Sequence, residues 1–210
     1  METSINKIPF KVSARTAKLI GLENFSTEEG AIIELVKNTY DADANNCIII
    51  FDIKHTVILN DKGEEIKQFN NADSRIFVID NGVGMTDSVI SNQWMTIGTD
   101  DKLYQYLSEN GRVKTGAKGI GRFALNRLGF ITNLVTTSNI NGKGLNWKVD
   151  WKDFDIAGAT VSDVEAELIA IENPSLQKFL LKKFSDSERL VELFSSTSFE
   201  SGTVIEISEL

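Results

Sequence analysis

The chain has 210 residues, 41% of them apolar, which suits one ordinary domain whose core needs no disulfide or metal. A single cysteine (Cys47) and a single histidine (His55) exclude an intrachain disulfide and a Cys/His zinc site, and make a reducing compartment the expectation, cytoplasmic or, in a eukaryote, nuclear. The net charge of −8 argues against nucleic-acid binding over the whole surface, and the longest apolar run, Cys47 to Phe51, falls far short of the roughly 20 residues of a membrane helix.

In chain order, Ser13 to Leu19 reads as a short helix ended by Gly21. Ser26 with Glu29 fits a capping box that opens a second helix through AIIELVKNTYDA. CIIIFDI, Cys47 to Ile53, is a β-branched run that predicts a buried strand. Residues 60–74 are polar and predict a turn or flap, and Arg75 to Asp80 predicts a second strand stopped by Asn81-Gly82. Thr86 can cap a helix through Trp94. Residues 96–121 carry glycines 98, 111, 116, 119 and 121 with little periodicity and read as a mobile loop, followed by a helix over 120–128. Phe130 to Ser138 and Leu145 to Trp151 predict a strand pair around Asn141-Gly142. Residues 164–171 fit either a helix or a strand. Leu176 to Phe184 predicts an amphipathic helix after Pro174, and Thr203 to Ile207 a closing strand.

Three segments carry chemistry. In ELVKNTYDADA, Glu34, Asn38 and Asp41 fall on one stripe of a helix, at i, i+4 and i+7. An ordinary wet helix face accounts for this stripe as well as a ligand does. In VIDNGVGM, Asp80 ends a strand and Gly82 and Gly84 let backbone come close to a ligand. A carboxylate there can accept from an exocyclic amine such as adenine N6, though Asn-Gly is also a common turn dipeptide. In TGAKGIGRFA, a glycine-rich loop runs into a helix, a junction that presents N–H groups to phosphate, with Lys118 and Arg122 adding charge. The spacing is neither that of a Walker A loop nor that of a Rossmann fingerprint. From Lys102 to Arg127 there are six basic residues against one acid, Glu109, so an anion or a solvated loop belongs here.

Together and in this order, the three segments resemble the motifs of the GHKL ATPase superfamily, whose members include gyrase B, a heat-shock chaperone, histidine kinases, MutL and the MORC proteins. Ser201-Gly202-Thr203 before VIEI resembles the last motif of that family, so the resemblance spans about residues 10–208. It implies an α/β two-layer sandwich (the Bergerat fold), with helices on one face of a mixed, mostly antiparallel sheet. The whole of residues 1–210 would be one ATP-binding domain. Later domains of the family, a transducer with a catalytic lysine among them, would follow it, and protein or DNA partners would act through those domains.

The resemblance also implies roles. Glu34 matches the general base that activates water, and Asn38 the Mg²⁺ ligand. Asp41 matches the acid at the end of that helix, and Asp80 the adenine-reading aspartate. Gly82, Gly84 and Met85 match the residues around the base. Gly116, Lys118, Gly119, Ile120, Gly121 and Arg122 match the lid hinge and phosphate cradle. Thr203 matches the threonine that, with a water, supports the Asp80–adenine contact. TIGTDDK, Thr96 to Lys102, resembles the opening of the lid and makes Lys102 a phosphate contact, but Asp100 and Asp101 depart from the pattern.

The implied activity is Mg²⁺-dependent ATP hydrolysis that closes a lid and brings two copies together, with ATP and ADP as ligands and no membrane. Histidine kinases carry an amide at the position of Glu34, so a phosphotransferase is the alternative, and a nucleotide switch without turnover is another. His55, in a polar stretch past a strand, lacks the helical setting of a phosphoacceptor.

Overall fold

The computed structural model describes residues 8–98, 106–115 and 119–210. Helix α1 (Ala14–Asn24) runs three residues past Gly21. Gly21 does not end the helix because it is a packing residue: a Cβ there would lie 2.3 Å from Cγ of Phe123. Helix α2 (Glu28–Asp41) starts one residue later than Ser26 predicts. Its cap is Thr27, whose hydroxyl accepts the Gly30 N–H at 3.1 Å, with Glu28 and Glu29 beside the positive end of the helix.

Strand β1 (Cys47–Asp52) pairs antiparallel with β4 (Arg75–Asp80). Between them, β2 (His55–Leu59) and β3 (Glu65–Phe69) form a separate two-stranded hairpin, whose turn and second strand fall in the polar 60–74 stretch that predicts a turn or flap. Thr86 does cap the next element, accepting the Val89 N–H at 3.2 Å. That element is a single turn, α3 (Asp87–Val89), continued by a π turn over Ile90–Trp94. Helix α4 (Phe123–Leu128) follows the glycine-rich loop. Strands β5 (Ile131–Thr137) and β6 (Gly144–Asp150) pair as expected. The ambiguous segment is strand β7 (Glu167–Ile171) on the edge beside β6. Helices α5 (Leu176–Lys183) and α6 (Glu188–Ser196) precede the last strand, β8 (Gly202–Ser208).

The six-stranded sheet has the order β1-β4-β8-β5-β6-β7, and each of its pairings is antiparallel. The alternation of side chains along a strand then sorts the core into two layers. Ile76 and Val78 of β4, Leu134 of β5 and Ile205 and Ile207 of β8 face α1, α2 and α4. Phe77, Ile79, Val135 and Val204 face the opposite side, where α5 and α6 supply Leu176, Leu180 and Phe194. The α/β sandwich is therefore as expected on the first face, with a second helical pair added to the other.

Two features of this core position the site. First, β8 comes last in the chain but lies between β4 and β5, so Thr203 stands opposite both Asp80 and Thr136 on the α1/α2/α4 face. Second, Phe123 at the start of α4 is wedged against Trp151 and Phe154, with ring centroids 5.6 and 5.7 Å apart. Such buried aromatic pairs contribute about 1 kcal/mol each beyond their area, and here they pin the end of the glycine-rich loop against α2.

Candidate functional site

A cavity of about 600 Å³ opens between α2, the 80–86 loop, β8 and the 106–115 segment. Asn38, Asp41, Asp80, Gly84, Met85 and Thr203 all line it. Residues from three motifs more than 160 positions apart thus share one hollow, which the order of strands in the sheet makes possible.

Asp80 is the buried carboxyl of the site, 6% exposed. Its Oδ1 accepts the Gly82 N–H at 2.9 Å, and the Thr203 N–H donates to the same carboxylate. Burial pushes its carboxyl up to about 7 from an ordinary 3.8, and those two N–H donors oppose the rise. Near neutral pH the group sits close to its midpoint, where a ligand that donates to the carboxylate decides its charge.

The 81–84 turn is held from several sides. Asn81 Oδ1 accepts the N–H groups of Asn45 and Asn46, and the Ser201 hydroxyl donates to Gly82 O at 2.7 Å. The Val83 N–H donates to Ala42 O at 2.9 Å, joining this turn to the end of α2. A Cβ at Gly84, where φ is +68°, would sit 2.0 Å from Thr137 O, and one at Gly82 would sit 2.4 Å from Ala42 O. Both glycines are required by close backbone approach rather than by turn preference alone. Gly84→Ala is expected to cost about 3 kcal/mol or more of stability, read as a lower urea midpoint.

At the other end, Gly121 abuts the helix stripe: a Cβ there would come within 3.1 Å of Glu34 Oε1 and 3.5 Å of Asn38 Nδ2. Glu34 lies one turn before Asn38 on α2, outside the lining of the cavity, with Lys37 Nζ at 3.6 Å. Ile120 packs on the core beside α4. Gly119, at φ +62°, accepts from Gly98 N–H and from Arg122.

Arg122 is held by the protein on one side of its guanidinium. Its Nη2 donates to the carbonyls of Gln93 and Gly119, and its guanidinium lies over the Trp94 ring at 5.8 Å. Burial draws its pKa down to about 10, so it stays a cation at neutral pH. Lys102, Gly116 and Lys118 lie outside the described residues.

The basic segment spends much of its charge on the protein itself. Arg112 donates to Ala44 O at 2.8 Å and stacks over Tyr40 at 5.2 Å, and Arg127 pairs with Glu28 at 3.0 Å. Lys114, by contrast, lines the cavity. Cations held in this way are not free for phosphates at the surface, which need unpaired cations.

Three residues make contacts that the motifs do not reveal. Asp43, in the left-handed region at φ +59°, accepts from the Ser108 hydroxyl at 2.6 Å and the Asn110 N–H at 3.0 Å. Asp41, the acid at the end of α2, lines the cavity and also accepts the Thr115 N–H at 2.8 Å. The two acids fasten 106–115 over the end of α2. Their signal in sequence was the repeated carboxylate of DADA, which a helix-stripe argument reads only once. Thr136 joins the 80–86 loop to β8, and no local pattern distinguishes it from any strand threonine.

The residues present fit a magnesium nucleotide. The donors of α2 that face the cavity are the amide of Asn38 and the carboxylate of Asp41, and among the described residues no three His, Cys, Asp or Glu side chains cluster to hold a metal by themselves. A Mg²⁺ ion would lean on phosphate oxygens and water, as that ion commonly does, with Asn38 as a protein ligand. Among the described residues no helix is long and apolar enough to cross a membrane.

No curated protein matches the chain. A family model described as histidine kinase-, DNA gyrase B-, and HSP90-like ATPase matches residues 25–180, which takes in α2, the 80–86 loop and α4 but not Thr203. On that match, which covers well over half of the chain, this protein belongs to the histidine kinase-, DNA gyrase B-, and HSP90-like ATPase family, whose domains bind ATP.

Proposed function

We propose that this domain binds ATP with Mg²⁺ and hydrolyses it by attack of water on the γ-phosphate. The observation that carries the reading is the shared cavity: Asp80, Thr203 and Asn38, brought from β4, β8 and α2, line one hollow of about 600 Å³.

In this scheme Asp80 accepts from the adenine amine at the closed end, and Gly82, Gly84 and Met85 form the wall beside the base. Asn38 holds Mg²⁺, which screens the charge on the phosphates when bound. Glu34, at the Gly121 side of α2, takes the proton from the attacking water. Positioning and charge supply most of the acceleration in such reactions. Gly119 and Gly121 let the backbone lie against the phosphates, and Lys114 adds a cation at the cavity wall. Arg122, Lys102, Gly116 and Lys118 belong to the same cradle in this reading, with Arg122 leaving its Gln93 and Gly119 partners as nucleotide binds.

The lid itself would close from the 106–115 side, where Asp41 and Asp43 already hold it. Pairing of two copies would follow, using apolar residues that α1 and α2 leave exposed, Leu19, Ile20, Ile33 and Val36. A switch that binds ATP without turnover is the second reading, favoured by the position of Glu34 outside the cavity lining. His55, exposed at the start of the peripheral hairpin, gives a phosphotransferase no comparable support.

Thermal unfolding with Mg²⁺ and a nonhydrolysable ATP analogue tests the binding step. At a hundredfold excess over Kd the expected stabilisation is about 2.7 kcal/mol, seen as a rise in Tm that the guanine analogue does not produce. No shift with the adenine analogue would remove the proposal.

A further inference from the structure

Thr136 on β5 is fully buried and does not line the cavity, yet its hydroxyl touches three groups of the site wall. Oγ1 accepts the Met85 N–H at 2.9 Å, lies 2.8 Å from Gly202 O, and lies 3.2 Å from Oγ1 of Thr203. The placement of protons follows from chemistry. A carbonyl oxygen carries no hydrogen, so the one proton of Thr136 must lie on the 2.8 Å contact to Gly202. In the contact with Thr203, Thr136 can then only accept. For that 3.2 Å contact to be a hydrogen bond, Thr203 must donate, which turns its single hydroxyl proton inward and leaves only lone pairs toward the cavity.

Across the β4–β8 pairing, Asp80 is the direct neighbour of Thr203. Its carboxylate is an acceptor as well. Two acceptors side by side suit a base edge that carries an exocyclic amine, with its two N–H groups. They oppose a base edge that carries a carbonyl oxygen. Without the Thr136 hydroxyl, Thr203 would be free to rotate its O–H into the cavity and donate to such a carbonyl.

We infer that Thr136 is a positioning residue for base selection: by accepting from Thr203 it locks that hydroxyl as an acceptor, and so sets the site for amine-bearing over carbonyl-bearing purine nucleotides. The inference rests on the proposed nucleotide site and extends it to a residue behind the wall.

The test is titration calorimetry on the full chain with Mg²⁺, comparing ATP with inosine triphosphate, in which a carbonyl replaces the amine. Wild type should prefer ATP. Thr136→Val, which removes only the hydroxyl, should narrow that preference by about tenfold or more, since sites built on hydrogen-bond polarity discriminate strongly and lose this when the polarity is released. Thr136→Ser should restore it. Thr203→Val, which removes the locked acceptor itself, should narrow the preference as well.

Equal weakening of both nucleotides in Thr136→Val, with the ratio unchanged, would reduce Thr136 to a packing residue and overturn the inference. Where Thr136→Val does not fold, an unchanged ratio in Thr203→Val overturns it, and a narrowed ratio there with a normal one in Thr136→Ser supports it. Wild type that binds neither nucleotide defeats the nucleotide reading along with this extension. Wild type that prefers ATP, with variants that prefer it equally, defeats the extension alone.

Discussion

Asp80→Asn is expected to lower affinity for ATP by about 2–4 kcal/mol, on the scale of stranded buried polar partners. The replacement keeps size and keeps one oxygen. That oxygen is claimed by the Gly82 and Thr203 N–H groups, which already donate to the carboxylate. The amide NH₂ would then face the cavity, and a donor would meet the donor of the adenine amine. Titration calorimetry on both proteins measures the loss, and affinity within threefold of wild type would take Asp80 out of base recognition.

The same substitution should stabilise the free protein. Folded Asp80 gains its proton near pH 7, whereas the unfolded chain holds one only below about 3.8. Between these values the folded state binds more protons, so raising the pH through this window removes stability, by at most about 4 kcal/mol across it. Asparagine has no charge to bury and should flatten that dependence. Urea midpoints measured from pH 4 to pH 8 are expected to fall for wild type and to stay level for Asp80→Asn over the same range. A wild-type curve that rises toward pH 8 would contradict burial as the cause of the shift. A binding site that weakens its own free fold also explains why bound nucleotide, by donating to the ionised carboxylate, should raise Tm most at the upper end of the range.

Glu34→Gln is the second large effect, and it separates turnover from binding. Glu34 touches Lys37 and Gly121 and does not line the cavity that would hold the base, so ATP affinity should stay within about threefold of wild type. Phosphate release should fall by about a hundredfold to ten-thousandfold, the usual scale for a lost general base. Glutamine fills the same space beside Gly121, which keeps packing out of the comparison. Equal release by wild type and variant, in protein free of contaminating ATPase, would leave the nucleotide switch as the better reading. Loss of binding together with turnover would instead place Glu34 in the ligand site.

Where local signals agree with local structure, the elements came out as read. Thr86 caps its helix because its hydroxyl needs only the N–H three residues on. β4 runs as an apolar strand to Asp80 because it is buried on both faces. The hairpin at 55–69 carries no core-strand signal because it pairs only with itself and has polar residues on both strands, so it lacks the apolar alternation of a core strand. Gly21 read as a helix end, since nothing in its neighbours reveals that Phe123 occupies the space a side chain would need. For 164–171 either secondary structure was acceptable to the residues themselves, and the open edge of β6 selected the strand.

By itself the sequence determined the chemistry on offer: an acid and an amide one helical turn apart at Glu34 and Asn38, a carboxylate closing a strand at Asp80, and glycines where backbone must come close. These are legible because each depends on residues within about ten positions of one another. Only the tertiary structure decided that Asn38, Asp80 and Thr203 face one cavity while Glu34 lies outside its lining, because that depends on inserting the last strand between β4 and β5. It also decided the uses of Asp43, Arg122 and Thr136. A hydrogen bond is satisfied by whatever group lies within about 3 Å, and the groups that satisfy these three come from segments whose proximity no stretch of chain encodes on its own.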